Sequence, residues 1–193
     1  LILFLFIVAV KHELAIKISS TFDEYINVSG ENHWLVNTNK LIKFYKGIDG
    51  LKTGYTDKAG YCLTATMNKN NMRLISVVMK SNTKDNRSSD TIGMMEYGYS
   101  MYGSETILNK KDYSGVINIK GSENRNYKYY LENDIKIIVD KDRKDIKYTT
   151  EVKLNDVKAP IEKGSKVGEL ILKYDNNTYT SFFYRCFYII KFY

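Results

Sequence analysis

Three short runs rich in β-branched and aromatic residues, Leu51–Thr56, Tyr61–Met67 and Met72–Met79, follow one another with only four residues between neighbours. The gaps are Asp57-Lys58-Ala59-Gly60 and Asn68-Lys69-Asn70-Asn71, side chains that suit tight turns. Strands so closely spaced read as an antiparallel three-stranded meander. Met72–Met79 is nearly all apolar, which predicts a strand covered on both faces.

The flanking sequence supplies what such a sheet packs against. Gly47-Ile48-Asp49-Gly50 reads as a turn leading into the first strand. Ser81–Arg87 is polar and reads as a loop. Ser88 or Ser89 then makes a suitable N-cap, and Ile92, Met95, Tyr99 and Tyr102 recur at helical spacing, so a helix is predicted to back the sheet. Beyond Leu108 the pattern changes to short strand-like runs between charged turns: Gly115–Lys120, Tyr127–Leu131, Ile135–Val139, Ile146–Leu154 and Val167–Tyr174. No helical period interrupts them, which predicts a separate, small all-β domain.

The ends stand apart. Leu1–Val10 is apolar but, at ten residues, too short to span a bilayer, and it lacks the basic start and small-residue cleavage site of a signal segment. The aromatic stretch 178–193 has no clear period. Four segments are therefore expected: 1–17, an apolar start; 18–108, the sheet with its helix; 109–177, the all-β domain; and 178–193, an atypical tail.

Composition excludes some function classes. The net charge of +7 favours anionic partners, but the lysines alternate with acids, as in 141–148, and no arginine-rich arm is present. Nucleic-acid binding is not expected. His12 and His33, and Cys62 and Cys186, lack the clustered spacing of a metal site, so no metal or cofactor is expected. Cys62 falls mid-strand and reads as a small core residue.

The chemistry concentrates at Lys52-Thr53-Gly54. A strand lysine beside a cleft offers a fixed positive charge, and the threonine hydroxyl adds a directed hydrogen bond. Glycine, with no Cβ, lets a peptide lie close and add itself as a strand. The next backbone N–H, that of Tyr55, can then face a carbonyl becoming an oxyanion. The tripeptide alone better suits a surface hairpin with an exposed Lys-Thr; its setting decides.

The block from Gly47 to Leu63 closely resembles the third motif region of the serine-type D-alanyl-D-alanine carboxypeptidases, the low-molecular-mass penicillin-binding proteins. The resemblance continues through 71–79, the segment holding Arg87 and the helix to Tyr102, and reappears at 158–170. It implies part of a β-lactamase/transpeptidase-like α/β domain, an antiparallel sheet with a packed helix, followed by a β-sandwich. It also implies roles. Lys52 would bind a substrate carboxylate, Thr53 would hydrogen-bond beside it, Gly54 would allow close approach, and the Tyr55 N–H would be an oxyanion donor. Arg87 would support carboxylate recognition from its loop. Asp49, Asn37 and Asn39 match the pattern as structural residues.

The family's acylated serine, in Ser-x-x-Lys, and its Ser-x-Asn both precede Lys-Thr-Gly, and 51 residues before Lys52 are too few to hold that half. Ser81-Asn82-Thr83-Lys84 and Ser122-Glu123-Asn124 fit the letters but fall after it, so they are read as chance. The expectation is a C-terminal fragment, inactive alone, of an enzyme outside the cytoplasmic membrane. Its partners would be wall peptides ending in D-Ala-D-Ala and, for the full-length protein, β-lactams, with membrane association only through missing or altered termini. Rival readings are a D,D-endopeptidase, a class A β-lactamase-like enzyme, and a non-catalytic wall-peptide binder. The tail 178–193 does not resemble the family's last strands.

Overall fold

The computed structural model describes residues 2–111, 114–122, 126–143, 147–174 and 177–186. Contacts divide the chain into two compact units, Leu1–Gly103 and Ser104–Tyr193.

The first unit is mixed α/β. Two short helices, α1 (Ile2–Ala9) and α2 (Glu13–Ser20), precede a hairpin of β1 (Asp23–Val28) and β2 (Glu31–Val36). A single helical turn, α3 (Leu41–Phe44), leads into β3 (Ile48–Thr56), β4 (Gly60–Lys69) and β5 (Met72–Ser81), and α4 (Lys84–Met101) follows. The last three strands form the expected antiparallel meander in the order β3-β4-β5.

Turn chemistry explains the meander. Asn70 and Asn71 both take positive φ, at 53° and 60°, the pair of left-handed positions that a tight two-residue hairpin turn demands. Asparagine tolerates that region better than most side chains. At the other turn Gly60 has φ 62°, and a Cβ there would lie 2.9 Å from the Ser81 carbonyl oxygen, so this position requires glycine.

Leu63, Ala65 and Met67 of β4 form the core with Leu41, Ile48 and the α4 residue Met95. The Tyr99 hydroxyl shares its one proton between the carbonyl oxygens of Met67 (2.7 Å) and Met72 (3.0 Å), tying α4 to the β4–β5 turn. As expected, β5 is covered on both faces from Met72 to Val78, where every residue is buried or half-buried, and only Met79 at the end of that run is exposed.

Two other expectations are corrected. Helix α4 begins at Lys84, not near Ser88, because Thr83 is the N-cap: its hydroxyl accepts from the Asn86 N–H at 3.0 Å. Arg87 is therefore on a helix, not in a loop. Arg87, Thr91 and Met95, spaced by four, are its buried stripe. Tyr102 lies beyond the helix and is exposed.

The second unit is all-β. Its strands are β6 (Tyr102–Leu108), which starts two residues before the boundary, β7 (Ser114–Ile117), β8 (Tyr127–Leu131), β9 (Ile135–Asp140), β10 (Tyr148–Leu154), β11 (Lys166–Tyr174) and β12 (Asn177–Cys186). Five form a sheet in the order β10-β11-β12-β8-β7, and β6 pairs with β9. In β9 the buried residues Ile135, Ile137 and Val139 alternate with exposed ones, the period-2 signature of a strand with one face on a core. That core adds Leu131, Val167, Leu170 and Leu172. The tail read as atypical supplies β12, which lies between β11 and β8. Among the described residues, no helix is long and apolar enough to cross a membrane.

Candidate functional site

Strand β3 carries Lys52-Thr53-Gly54-Tyr55 and pairs with β4 on one side, which leaves its other edge facing a cleft. The cleft has a volume of about 540 Å³, and its lining includes Lys52, Thr53, Gly54, Tyr55 and Arg87. The five site residues expected from sequence thus line one cavity. Its remaining walls are the segment from Val36 to Lys40 and the first turn of α4. Four cations line it, Lys40, Lys52, Lys84 and Arg87, against the single acid Asp85. Such a lining favours an anionic ligand.

Gly50 sets the path of the strand into this site. Its φ is +148°, and a Cβ there would lie 2.4 Å from the Ser19 hydroxyl, so α2 can approach β3 only over glycine. Ser19 in turn donates to the Asp49 carbonyl at 3.2 Å.

The opposite wall is held by two asparagines acting on backbone, as their Asx reading implies. Asn37 Nδ2 donates to the carbonyls of Ser19 (3.1 Å) and Thr21 (3.0 Å), while its Oδ1 accepts from the Asn39 N–H (2.9 Å). Asn39, 1% exposed, donates from Nδ2 to the Gly50 carbonyl at 3.2 Å and accepts from the Leu41 N–H. Between them stands Thr38, whose Oγ1 is 2.6 Å from Thr53 Oγ1. Thr38 did not emerge from the sequence; the Asn-x-Asn frame around it was the available signal.

Arg87 is 6% exposed, and its Nε has no hydrogen-bond partner among the described residues. Burial is the main cause that pulls its proton affinity below the ordinary arginine value, with Cys62 and Tyr61 pushing the other way. The guanidinium still stays charged at neutral pH. An incompletely paired buried cation is costly, and a ligand anion relieves that cost.

Tyr55 and Tyr61 complete the lining at the turn end of the strand, with ring centroids 4.5 Å apart. The Tyr55 hydroxyl donates to Asp57 Oδ1 at 3.1 Å, and this bond is the first cause of its raised pKa. Cys62 lies opposite Gly54 in the β3–β4 register and directs its thiol at the Ala59 carbonyl.

Of the two literal serine motifs, Ser81 ends β5, where its Oγ donates to Asp90 Oδ2 at 3.1 Å, and Lys84 opens α4. Ser81 therefore occupies a strand end and not the loop expected for it. Glu123 and Asn124 of the second motif lie outside the described residues. Among the described residues, no group of three or more His, Cys, Asp or Glu side chains can hold a metal ion.

Comparison with known proteins points to one family. A family model described as D-alanyl-D-alanine carboxypeptidase matches residues 3–83, and one described as penicillin-binding protein 5, C-terminal domain, matches residues 102–183. The second match takes in residues 178–183 of the stretch expected to depart from the family.

The chain is 37% identical over 169 residues to the D-alanyl-D-alanine carboxypeptidase DacF of Bacillus subtilis, covering 86% of this chain and 43% of that protein. It is 29% identical over 133 residues to DacA of Escherichia coli, covering 68% of this chain and 33% of that one. The chain thus spans less than half the length of these relatives. Among solved structures, penicillin binding protein 5 of Haemophilus influenzae is similar with a TM-score of 0.60 and 25% identity, over 91% of this chain and 51% of that one. A peptidoglycan synthesis regulatory factor (PBP3) of Streptococcus pneumoniae shares the fold with a TM-score of 0.75 at 22% identity, over 95% of this chain and 54% of that one.

Proposed function

Because this chain belongs to the D-alanyl-D-alanine carboxypeptidase family, we propose that its cleft grips the carboxylate end of a wall peptide ending in D-alanyl-D-alanine. It is then the substrate-holding half of an enzyme that removes the terminal D-alanine through an acyl-serine intermediate. Lys52 and Arg87 pair with the terminal carboxylate, and the Thr53 hydroxyl, oriented by Thr38, hydrogen-bonds beside it. Gly54 lets the peptide lie against the free edge of β3 as an added strand. The Tyr55 N–H donates to the scissile carbonyl oxygen as it gains charge.

The observation that carries this reading is the meeting of Lys52, Thr53 and the buried, incompletely paired Arg87 in one cation-rich cleft. The serine nucleophile is not among the residues here. Ser81 donates to the Asp90 carboxylate and is not among the residues that line the cleft, where a serine that accepts an acyl group must meet the carbonyl. The chemistry calls for no metal or cofactor, and its substrate places the complete enzyme outside the cytoplasmic membrane. β-Lactams, which carry a carboxylate beside a strained amide, would fill the same cleft in that enzyme.

The test is a calorimetric titration of the chain with diacetyl-L-lysyl-D-alanyl-D-alanine and with its C-terminal amide. The acid is expected to bind at least about ten-fold more tightly, the factor that 1.4 kcal/mol gives. Equal affinity for acid and amide would remove carboxylate recognition from the cleft.

A further inference from the structure

The β1–β2 hairpin carries the chain's one tryptophan on an exposed face that runs into the cleft. Trp34 pairs across the hairpin with Tyr25, their ring planes 21° apart and their centroids separated by 6.3 Å. At that separation near-parallel rings overlap little. Both stay open to solvent, Trp34 at 59% and Tyr25 at 71% exposed.

Successive residues of a strand alternate between faces, so Trp34 shares its face with Asn32 and Val36, and the register adds Asp23 and Asn27 opposite them. Val36 lines the cleft that holds Lys52 and Arg87. The aromatic pair therefore continues the cleft wall, one strand repeat beyond its rim. Past the rings the face ends in amides, with Asn27 Nδ2 donating to Asn32 Oδ1 at 2.8 Å.

Packing against the described residues does not account for these rings. No residue of β1 is buried, and Val36 is the one position of β2 that is even half-buried. Two large apolar side chains placed side by side on solvent mark a binding surface. Its chemistry is selective. Flat π faces stack against the apolar C–H face of a pyranose, and the neighbouring amides and the Asp23 carboxylate suit its hydroxyl and acetamido groups. The face carries no lysine or arginine, which base-stacking platforms for nucleic acid need for the phosphates.

We propose that Tyr25 and Trp34 form a saccharide subsite, which holds an uncharged N-acetylhexosamine ring of the glycan bearing the peptide that enters the cleft. The identity of the saccharide rests on the wall-peptide reading of the cleft; the stacking chemistry does not.

Trp34 reports on its own occupancy, since no other tryptophan emits. Chitotetraose, a neutral β-linked N-acetylglucosamine oligomer, is titrated into the full chain at millimolar concentrations while tryptophan emission is followed. The expected result is a saturable change that Tyr25→Phe keeps and Tyr25→Ala weakens at least about ten-fold. Tyr25→Leu keeps a bulky strand-compatible side chain, removes only the aromatic ring, and should weaken binding equally. Lys52→Ala should leave chitotetraose binding unchanged while reducing the binding of the acid peptide. If the acid peptide does not bind but chitotetraose does, the peptide reading fails and the saccharide subsite stands. No saturable change, or one that survives both Tyr25→Ala and Tyr25→Leu, overturns the subsite, as does a change produced by the peptide alone.

Discussion

Arg73 grips Asp49 with two parallel hydrogen bonds, Nη1 to Oδ1 at 2.9 Å and Nη2 to Oδ2 at 2.8 Å. Asp49 stands at the start of β3 and Arg73 in β5, so the pair reaches across β4. Thr66 of that middle strand accepts from Arg73 Nη1 at 2.8 Å and donates to the Leu74 carbonyl at 3.1 Å. The substrate strand is thereby fastened to a partner two strands away.

Asp49→Ala should destabilise the first unit by about 2 kcal/mol. The side chains are 25% and 23% exposed, which places the pair between surface bridges worth up to about 1 kcal/mol and buried ones whose breaking costs about 3–5. Urea unfolding of Asp49→Ala, Arg73→Ala and the double variant checks this. The double variant should lose clearly less than the sum of the singles; additive losses would mean the two side chains do not act together.

Lys52→Ala and Arg87→Ala should each weaken binding of the acid peptide by about thirty- to a thousand-fold, the range of charge-assisted contacts worth about 2–4 kcal/mol. Sequence alone makes Arg87 the lesser residue, reaching from a loop. Its place on α4, buried and incompletely paired, predicts losses of the same order for both. The C-terminal amide should show little further loss in either variant. Loss of acid and amide binding in equal measure would assign these cations to the shape of the cleft instead.

Tyr99→Phe should flatten the alkaline limb of the stability curve. Burial raises the Tyr99 pKa above its usual 10.0, so the neutral hydroxyl is favoured in the folded chain. A group raised on folding contributes fully below its unfolded pKa and loses that contribution as pH climbs through the folded one. The native chain should thus shed stability above about pH 10, the usual tyrosine value. The phenylalanine variant starts about 1–2 kcal/mol lower at neutral pH, having lost the one donor that the Met67 and Met72 carbonyls share, and falls less steeply thereafter. Thermal midpoints between neutral pH and the alkaline limb decide it; parallel curves would clear Tyr99 of the effect.

The chain should form no covalent adduct with a fluorescent penicillin. Ser88, a serine that lines the cleft, donates its hydroxyl to the Lys84 carbonyl at 3.0 Å; on the proposed reading it is not the acylated residue, and binding leaves nothing that survives denaturation. A labelled band in a denaturing gel that Ser81→Ala abolishes would restore Ser81-x-x-Lys84 as a working motif.

The meander was legible because its turns are local: Asn70 and Asn71 take the left-handed backbone that their type tolerates, and the strands they join are short and rich in apolar residues. The start of α4 was not, since the stretch from Ser81 to Ser89 offers several equally good caps. The choice of Thr83 moves Arg87 from loop to helix. Thr38 stayed hidden for a different reason. Its place opposite Thr53 depends on Asn37 reaching Ser19 and on Asn39 reaching Gly50, bonds made across the fold. The β1–β2 hairpin has almost no buried face to impose a period, and only Ser29-Gly30, both at positive φ, announces it.

The position of β12 bears on the order of events during synthesis. It lies between β11 and β8, and its pairing with β8 joins residues more than fifty positions apart. Until β12 leaves the ribosome, β7 and β8 have no strand pairing with β10 and β11, and four strands wait as two ribbons with unpaired edges. Contacts this distant in sequence form slowly, and waiting edges invite pairing with neighbouring chains. A nascent chain stalled before Asn177 is therefore the species that a holdase chaperone should capture, and release of β12 the step that ends its hold.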